Sequence, residues 1–291
     1  MEVFFHMNNL ILFPSSYFSV KRVDEDLQQE FNAVKTTGLF DIVLFGYDKW
    51  FNEGKLILNK ICSSPRTAIM RGWMMKPEQY KIFYDELCNN NIYLITEPEE
   101  YKLMHFFPNI YEFFGNDTAK IKIFPLHEQI NIEEVKKLFN KFMIKDFVKS
   151  VKGTEFPHFF DNSVTQEEFD KCMEVFYKYR GSLLSGGICV KEFLNLKFYN
   201  GKSNEYRVFY INNEIATVSR NSNQETNTQE PPKELLEKYK NLSSHYYTID
   251  YAELTDGTWK VIEAGDGSVS GLSKNQNAEQ YFRILYNILN R

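Results

Sequence analysis

Two carboxylates, Asp250 and Glu263, flank the dipeptide Asp256-Gly257. That dipeptide between strand-like runs favours a two-residue hairpin turn. With Asp256 and Gly257 as the turn, Thr255 pairs with Thr258, Leu254 with Trp259 and Glu253 with Lys260. Ala252 then meets Val261, Tyr251 meets Ile262, and Asp250 meets Glu263. One face carries the Glu-Lys pair. The other carries Leu-Trp and Ala-Val, with Asp250 and Glu263 on that same apolar face. Like charges directly opposite destabilise a sheet. A divalent cation turns the repulsion into coordination, and carboxylate oxygens suit Mg²⁺. The alternative is that one carboxyl is protonated, or that a Lys or Arg stands between them. Asp266 follows at the strand end, after glycine, as a candidate third oxygen donor.

Cations come earlier in the chain. Lys145, Lys149 and Lys152 punctuate a run ending at Gly153, with Lys145 and Lys149 read on one strand face around Phe147. Cations followed by a small-residue loop hold phosphate oxygens through charge and backbone N–H groups; solvated edge lysines are the plainer reading. Lys191-Glu192-Phe193-Leu194 ends a strand so that backbone groups meet a base edge while Phe193 and Leu194 enclose a ring. Arg207 shares a strand face with Phe209 and Ala216 and is expected opposite Val218 across an Asn212-Asn213 turn. An arginine on an apolar face requires an anion, from a ligand or from Glu205 two residues away.

The elements that must position these groups alternate between strand and helix signals over the first ~110 residues, as in α/β domains. Strands are expected at residues 9–13, 41–46, 66–70 and 92–95. Helices are expected after Asp24, ending near Gly38; from Pro77; and after a Thr96/Glu99 capping box. Further on, Asn131 and Thr165/Glu168 cap helices, residues 143–148 and 188–194 are strands, residues 205–211 and 214–219 form a hairpin, and residues 275–289 close the chain as a helix. The polar stretch 221–232 reads as a mobile loop or lid.

A net charge of -5 argues against an electrostatic footprint for DNA or RNA. Cys62, Cys88, Cys172 and Cys189 form no CxxC pair and read as free thiols. The opening Met1-Glu-Val-Phe-Phe-His6 lacks a basic segment and cleavage site, and no apolar run reaches membrane-spanning length. A soluble, reducing, cytoplasmic setting is therefore expected.

Taken in order, the strand lysine, the Lys191 to Leu194 segment, the Arg207 strand and the Asp250/Glu263 strands resemble the ATP-grasp superfamily. The phrases around Arg71-Gly-Trp-Met, Lys145-Asp-Phe-Val-Lys-Ser, Glu205-Tyr-Arg-Val-Phe and Ile262-Glu-Ala-Gly-Asp-Gly-Ser are similar to a bacterial and phage clade named for an Arg and Lys signature. The later stretch is similar to a eukaryotic cell-division-cycle D-type assembly chaperone for an initiation factor. The resemblance implies an α/β chain: a small pre-ATP-grasp domain over residues 1–115, then an ATP-grasp module over 116–291. Its lobes would be 116–190, with the phosphate lysines, and 191–291, with the metal carboxylates. It implies ATP and Mg²⁺ as cofactors. Lys145 and Lys149 would meet phosphates, and the backbone of Glu192 and Leu194 would read adenine. Arg207 would touch the triphosphate or an acyl phosphate, and Asp250 and Glu263 would hold metal. The family's Asn two places after the Glu is Gly265 here, so Asp266 is the candidate replacement.

The implied activity is an ATP-dependent ligase that activates a carboxylate for attack by an amine, on a small molecule, peptide or protein. The alternatives are an ATP-binding assembly factor for a protein partner and a phosphoryl transferase without ligation. Arg71, Trp73, Tyr101 and His105 are candidates to line the cleft from the first domain, against plainer readings as an ion pair or a core edge.

Overall fold

The computed structural model describes residues 9–291 apart from 223 and 225. The opening segment weighed as a signal peptide therefore lies outside the described residues. Strand β1 (Leu10–Ser16) begins with four apolar residues because it is buried on both faces and paired on both edges. It turns back into β2 (Ser19–Val23). Helix α1 (Gln28–Thr37) follows a short 3-10 turn capped by Asp24 and ends at Gly38. Next come β3 (Asp41–Phe45), α2 (Tyr47–Glu53), β4 (Arg66–Met70), α3 (Pro77–Asn89) and β5 (Ile92–Leu94). β3, β1, β4 and β5 form a parallel sheet in that order.

Helices α4 (Pro98–His105) and α5 (Phe107–Phe114) follow. The capping box of α4 is Glu97 with Glu100 rather than Thr96 with Glu99, because Thr96 is buried beneath the sheet end. A second sheet, antiparallel, has the order β6 (Ile121–Phe124), β9 (Ile188–Glu192), β7 (Lys141–Asp146), β8 (Phe160–Asp161). Helices α6 (Ile132–Leu138) and α7 (Gln166–Arg180) cover it, capped by Asn131 and by the Thr165/Glu168 box. After the small ribbon of β10 (Phe198–Tyr199) and β11 (Lys202–Ser203) comes the last sheet. It runs β13 (Glu214–Arg220), β12 (Glu205–Ile211), β14 (Tyr246–Glu253), β15 (Trp259–Asp266). Helix α8 (Lys233–Lys238) packs on one of its faces and α9 (Ala278–Leu289) on the other.

The fold is α/β, and its cores are shared along the chain. α4 and α5 pack against β12, β14 and β15, while α9 packs against α1 and the first sheet. All four cysteines are free thiols, Cys62 and Cys189 buried. No helix among the described residues is long and apolar enough to cross a membrane. Residues 221–232 are anchored at several described positions. Gln224 donates to Asn204 at 2.6 Å, Asn204 donates to the Gln229 carbonyl at 2.8 Å, and the Ser222 hydroxyl accepts from the Lys274 N–H at 3.0 Å.

Candidate active site

Asp250 pairs with Glu263, as the sequence indicates, but through a different hairpin. The turn has three residues, not two. Leu254 N–H donates to the Thr258 carbonyl, and Gly257 sits at φ +84°, the left-handed conformation suited to glycine. This shifts the ladder by one, so Glu253 pairs with Trp259, Ala252 with Lys260 and Tyr251 with Val261. A bulge at Ile262 then restores the Asp250–Glu263 register. The bulge also decides which way Glu263 points. Val261 and Trp259 stay in the apolar core with Tyr251 and Ile249, while Glu263 joins Asp250 on the opposite face, towards the second sheet. The expected Glu253–Lys260 pair does not form. Glu253 is buried and bonds Lys197 at 2.7 Å, Tyr199 and Asn204.

Cations stand beside both carboxylates, which is the alternative weighed above. Arg207 grips Asp250 with two bonds, Nε to Oδ1 at 2.8 Å and Nη2 to Oδ2 at 2.7 Å. It can do so because β12 pairs Arg207 with Asp250 on one side and with Ser219, not Val218, on the other; the offset comes from a bulge between Phe209 and Tyr210. Glu205, the other candidate partner, bonds Ser203 and Asn221 instead. Lys145 Nζ reaches Glu263 Oε1 at 3.3 Å. Burial alone would raise the Glu263 pKa, yet Lys145, Lys191 and Arg207 outweigh it and bring the pKa down to about 2. For Asp250, burial prevails over Arg207 and the pKa is raised.

Lys191 is the buried cation of the site. Its ammonium donates to the Ile262 carbonyl at 2.5 Å and lies 4.2 Å above the Phe107 ring. Burial, then the neighbouring Lys145, lowers its pKa to about 7. Lys149 departs from its expected place. β7 ends at Asp146, so Lys149 lies in the following turn rather than on the strand face of Lys145. Glu192 N–H is taken by the Lys120 carbonyl and Phe193 N–H by the Lys141 carbonyl, both at 2.9 Å. Among the described residues no partner is found for the Leu194 N–H.

These groups line two adjoining cavities. The larger, about 890 Å³, runs from Phe193, Leu194 and Phe198 past Lys191 and Lys145 to Arg207 and Glu263. The smaller, about 300 Å³, begins at the same Arg207, Asp250, Glu263 and Lys149 and continues to His105, Thr248 and Ser270. Asp250 and Glu263 thus stand at the junction. Among the described residues no cluster of three or more His, Cys, Asp or Glu forms. The donor set is two carboxylates facing an open cavity, which fits Mg²⁺, an ion that takes one or two carboxylates and completes its shell with phosphate oxygens and water. Asp266 is not part of that pair. Three positions beyond Glu263 it pairs with Tyr247, on the core side of the strand. Its Oδ1 accepts from Ser268 N–H at 2.9 Å, and burial raises its pKa to about 7.

The early candidates separate. Arg71 is 1% exposed and lines neither cavity. It pairs with Glu30 at 2.7 and 2.9 Å and donates to the Ser270 carbonyl at 2.8 Å and to the Gly267 carbonyl, so it pins the loop that forms the smaller cavity. Trp73 packs inward, and its neighbour Met74 lines the cavity instead. Tyr101 is core, stacked 3.8 Å from Tyr80, whereas His105 does reach the cavity, with its pKa lowered to about 4 by burial and by Lys149. Phe107, under both ammonium groups, and Asp146, which shapes the Lys149 turn, are contributors that sequence reasoning missed; Phe107 beside Pro108 signals only a helix start.

The profile of an ATP-grasp domain, family 3 of the clade named for its Arg and Lys signature, matches residues 133–285, more than half of the chain. The chain belongs to this ATP-grasp family. No curated protein matches the sequence. Among solved structures, D-cycloserine synthetase DcsG superposes with a TM-score of 0.63 at 11% identity, covering 97% of this chain and 99% of that one. The ATP-grasp ligase PsnB, complexed with minimal precursor, Mg and ADP, gives 0.60 at 9% identity over 98% and 99% of the two chains. D-alanyl-alanine synthetase A from Vibrio cholerae gives 0.59 at 11% identity over 99% and 100%. At such identities the likeness concerns the fold: the ATP-grasp arrangement extends over nearly the whole chain, including the residues before 133.

Proposed function

We propose that this ATP-grasp protein is an ATP- and Mg²⁺-dependent ligase that joins a carboxylate to an amine. The observation that carries the reading is the pair of cavities meeting at Asp250, Glu263 and Arg207. The larger takes ATP, its adenine beside Phe193 and Leu194 and its phosphates towards Lys145, Lys149 and Lys191. The smaller takes the acceptor. Residues 1–115 serve as the pre-ATP-grasp domain, and residues 116–190 and 191–291 as the two lobes that hold the nucleotide.

Asp250 and Glu263 would hold Mg²⁺, which supplies charge screening of the phosphates and a template for in-line displacement. Arg207 and the lysines stabilise charge on the transferring group, a task of positioning and electrostatics. The acceptor carboxylate oxygen forms a bond to the γ-phosphorus as the bond to the ADP oxygen breaks. The amine nitrogen then attacks the acyl carbon, phosphate leaves with the bonding pair, and the nitrogen releases its proton. No step requires a covalent side-chain nucleophile. The neighbours' substrates, which include a peptide precursor for PsnB, make free carboxylates and peptides the first acceptors to try.

The test is ADP release across a panel of carboxylates and peptides, with hydroxylamine present to trap an acyl phosphate as a hydroxamate. ADP release that requires an added carboxylate and yields hydroxamate is the expected result. A stable phosphorylated product with no hydroxamate would replace ligation by phosphoryl transfer.

A further inference from the structure

Asp146 is the last residue of β7 and is 1% exposed. Its Oδ1 accepts from the N–H of Val148 at 2.8 Å and of Lys149 at 2.7 Å, and its own N–H donates to the Lys149 carbonyl at 3.0 Å. A single residue therefore closes the turn that aims Lys149 at both cavities and leads into Ser150 and Lys152 at the wall of the larger one. The other oxygen, Oδ2, is held by Arg180, through Nε at 2.8 Å and Nη2 at 2.6 Å. Arg180 is the last residue of α7, is anchored to the Leu183 carbonyl at 3.1 Å and lines neither cavity.

We propose that Arg180 is a positioning residue for the phosphate end of the nucleotide site, acting through Asp146 on the turn of Val148 and Lys149. The inference rests on the ATP reading above. An ion pair that only fastened α7 to the sheet would need one carboxylate oxygen. Here the second oxygen is committed to the turn, so the two functions share one side chain. Without the guanidinium, Asp146 is a buried charge with no counter-ion. It either takes a proton, which weakens both charge-assisted N–H bonds, or swings to water, which breaks them. Lys149 and the N–H groups after it then lose their aim at the phosphates. The adenine end, built by β9 and the residues after it, is untouched. Loss of Arg180 therefore removes the preference for a triphosphate over a monophosphate and leaves base binding in place.

The experiment is titration calorimetry of the full chain with ATP, ADP and AMP in the presence of Mg²⁺. It compares wild type, Arg180→Gln, Arg180→Lys, and the double variant Asp146→Asn with Arg180→Gln. In the double variant the asparagine oxygen still accepts from the turn while its amide nitrogen faces the glutamine oxygen. Arg180→Gln should weaken ATP about tenfold and AMP less than about twofold. Arg180→Lys should fall between, and the double variant should recover most of the ATP affinity. If Arg180→Gln fails to fold, the same comparison is read from Arg180→Lys and the double variant. Equal losses for ATP and AMP, or an unchanged ATP affinity in every variant, would overturn the inference alone. A wild type that binds none of the three nucleotides would overturn the ATP reading, and this inference with it.

Discussion

At the scale of single residues, the site is a set of opposed charges whose balance a nucleotide must change. Lys191 is the clearest case, its pKa brought to about 7 from the usual 10.5 by burial and by Lys145. Between those two values the unfolded chain binds more protons than the fold does. This lysine therefore makes the unliganded fold more stable as pH rises through that window. Phosphate oxygens arriving beside it favour its charged form. ATP binding at pH 8 should then take up on the order of one proton, and at pH 6 close to none. Calorimetry in buffers of different ionisation enthalpy reads this directly, and Lys191→Met should abolish it. Absence of uptake in the wild type at pH 8 would mean that the phosphates do not reach Lys191. The same balance corrects an expectation from sequence. Opposed Asp250 and Glu263 suggest a strained pair that neutralisation would relieve, but Arg207 and Lys145 already compensate them. Replacing both by amides leaves those cations unmatched and should lower stability.

At the scale of elements, the bulge at Ile262 is the decisive local feature. It lets one strand bury Val261 and Trp259 on the core side and still turn Glu263 to the cleft. Deleting Ile262 forces Glu263 into the core or Val261 out of it, a loss of ~3 kcal/mol or more. The deletion should abolish stabilisation by Mg²⁺-ATP, whereas Ile262→Val, which keeps the backbone count, should retain it. Thermal melts of the two variants check this; a deletion variant that still responds to Mg²⁺-ATP would show that the bulge is dispensable. This strand also marks how far the sequence can be read. Asp250 opposite Glu263 is legible, although the two-residue turn that leads to it is wrong by one. The error is cancelled by a bulge that no residue pattern announces, since alternation carries no mark for an extra residue. Asn212-Asn213, at φ 47° and 63°, is legible because asparagine tolerates the left-handed turn the hairpin needs. Lys149 is misplaced by the sequence pattern because Asp146 terminates β7 through its own side chain. An Asp inside an apolar run reads as strand until its partner Arg180, 34 residues away, is known.

At the scale of the molecule, the site depends on parts of the chain that are far apart in sequence. Arg71 and Glu30 precede the region matched by the family profile, yet they hold residues 267–270 in place, and His105 and Met74 complete the smaller cavity. The order of motifs that implies an ATP-grasp fold is legible because each motif is local. Burial of Arg71 is not, because its partners come from α1 and from the loop after β15, and a buried arginine and a ligand-binding arginine look alike in sequence. Asp266 is drawn towards the metal by its proximity in sequence to Glu263, and strand alternation places it on the other side.

The central claim is that Asp250 and Glu263 make the junction of the two cavities a Mg²⁺-ATP site. It is tested most directly by thermal stabilisation of the full chain by ATP, with and without Mg²⁺, in wild type and in Asp250→Asn with Glu263→Gln. The account predicts a Mg²⁺-dependent rise in melting temperature for the wild type and none for the double variant, which melts lower than wild type even without nucleotide. An equal Mg²⁺-ATP shift in both proteins, or no shift in the wild type, would contradict it.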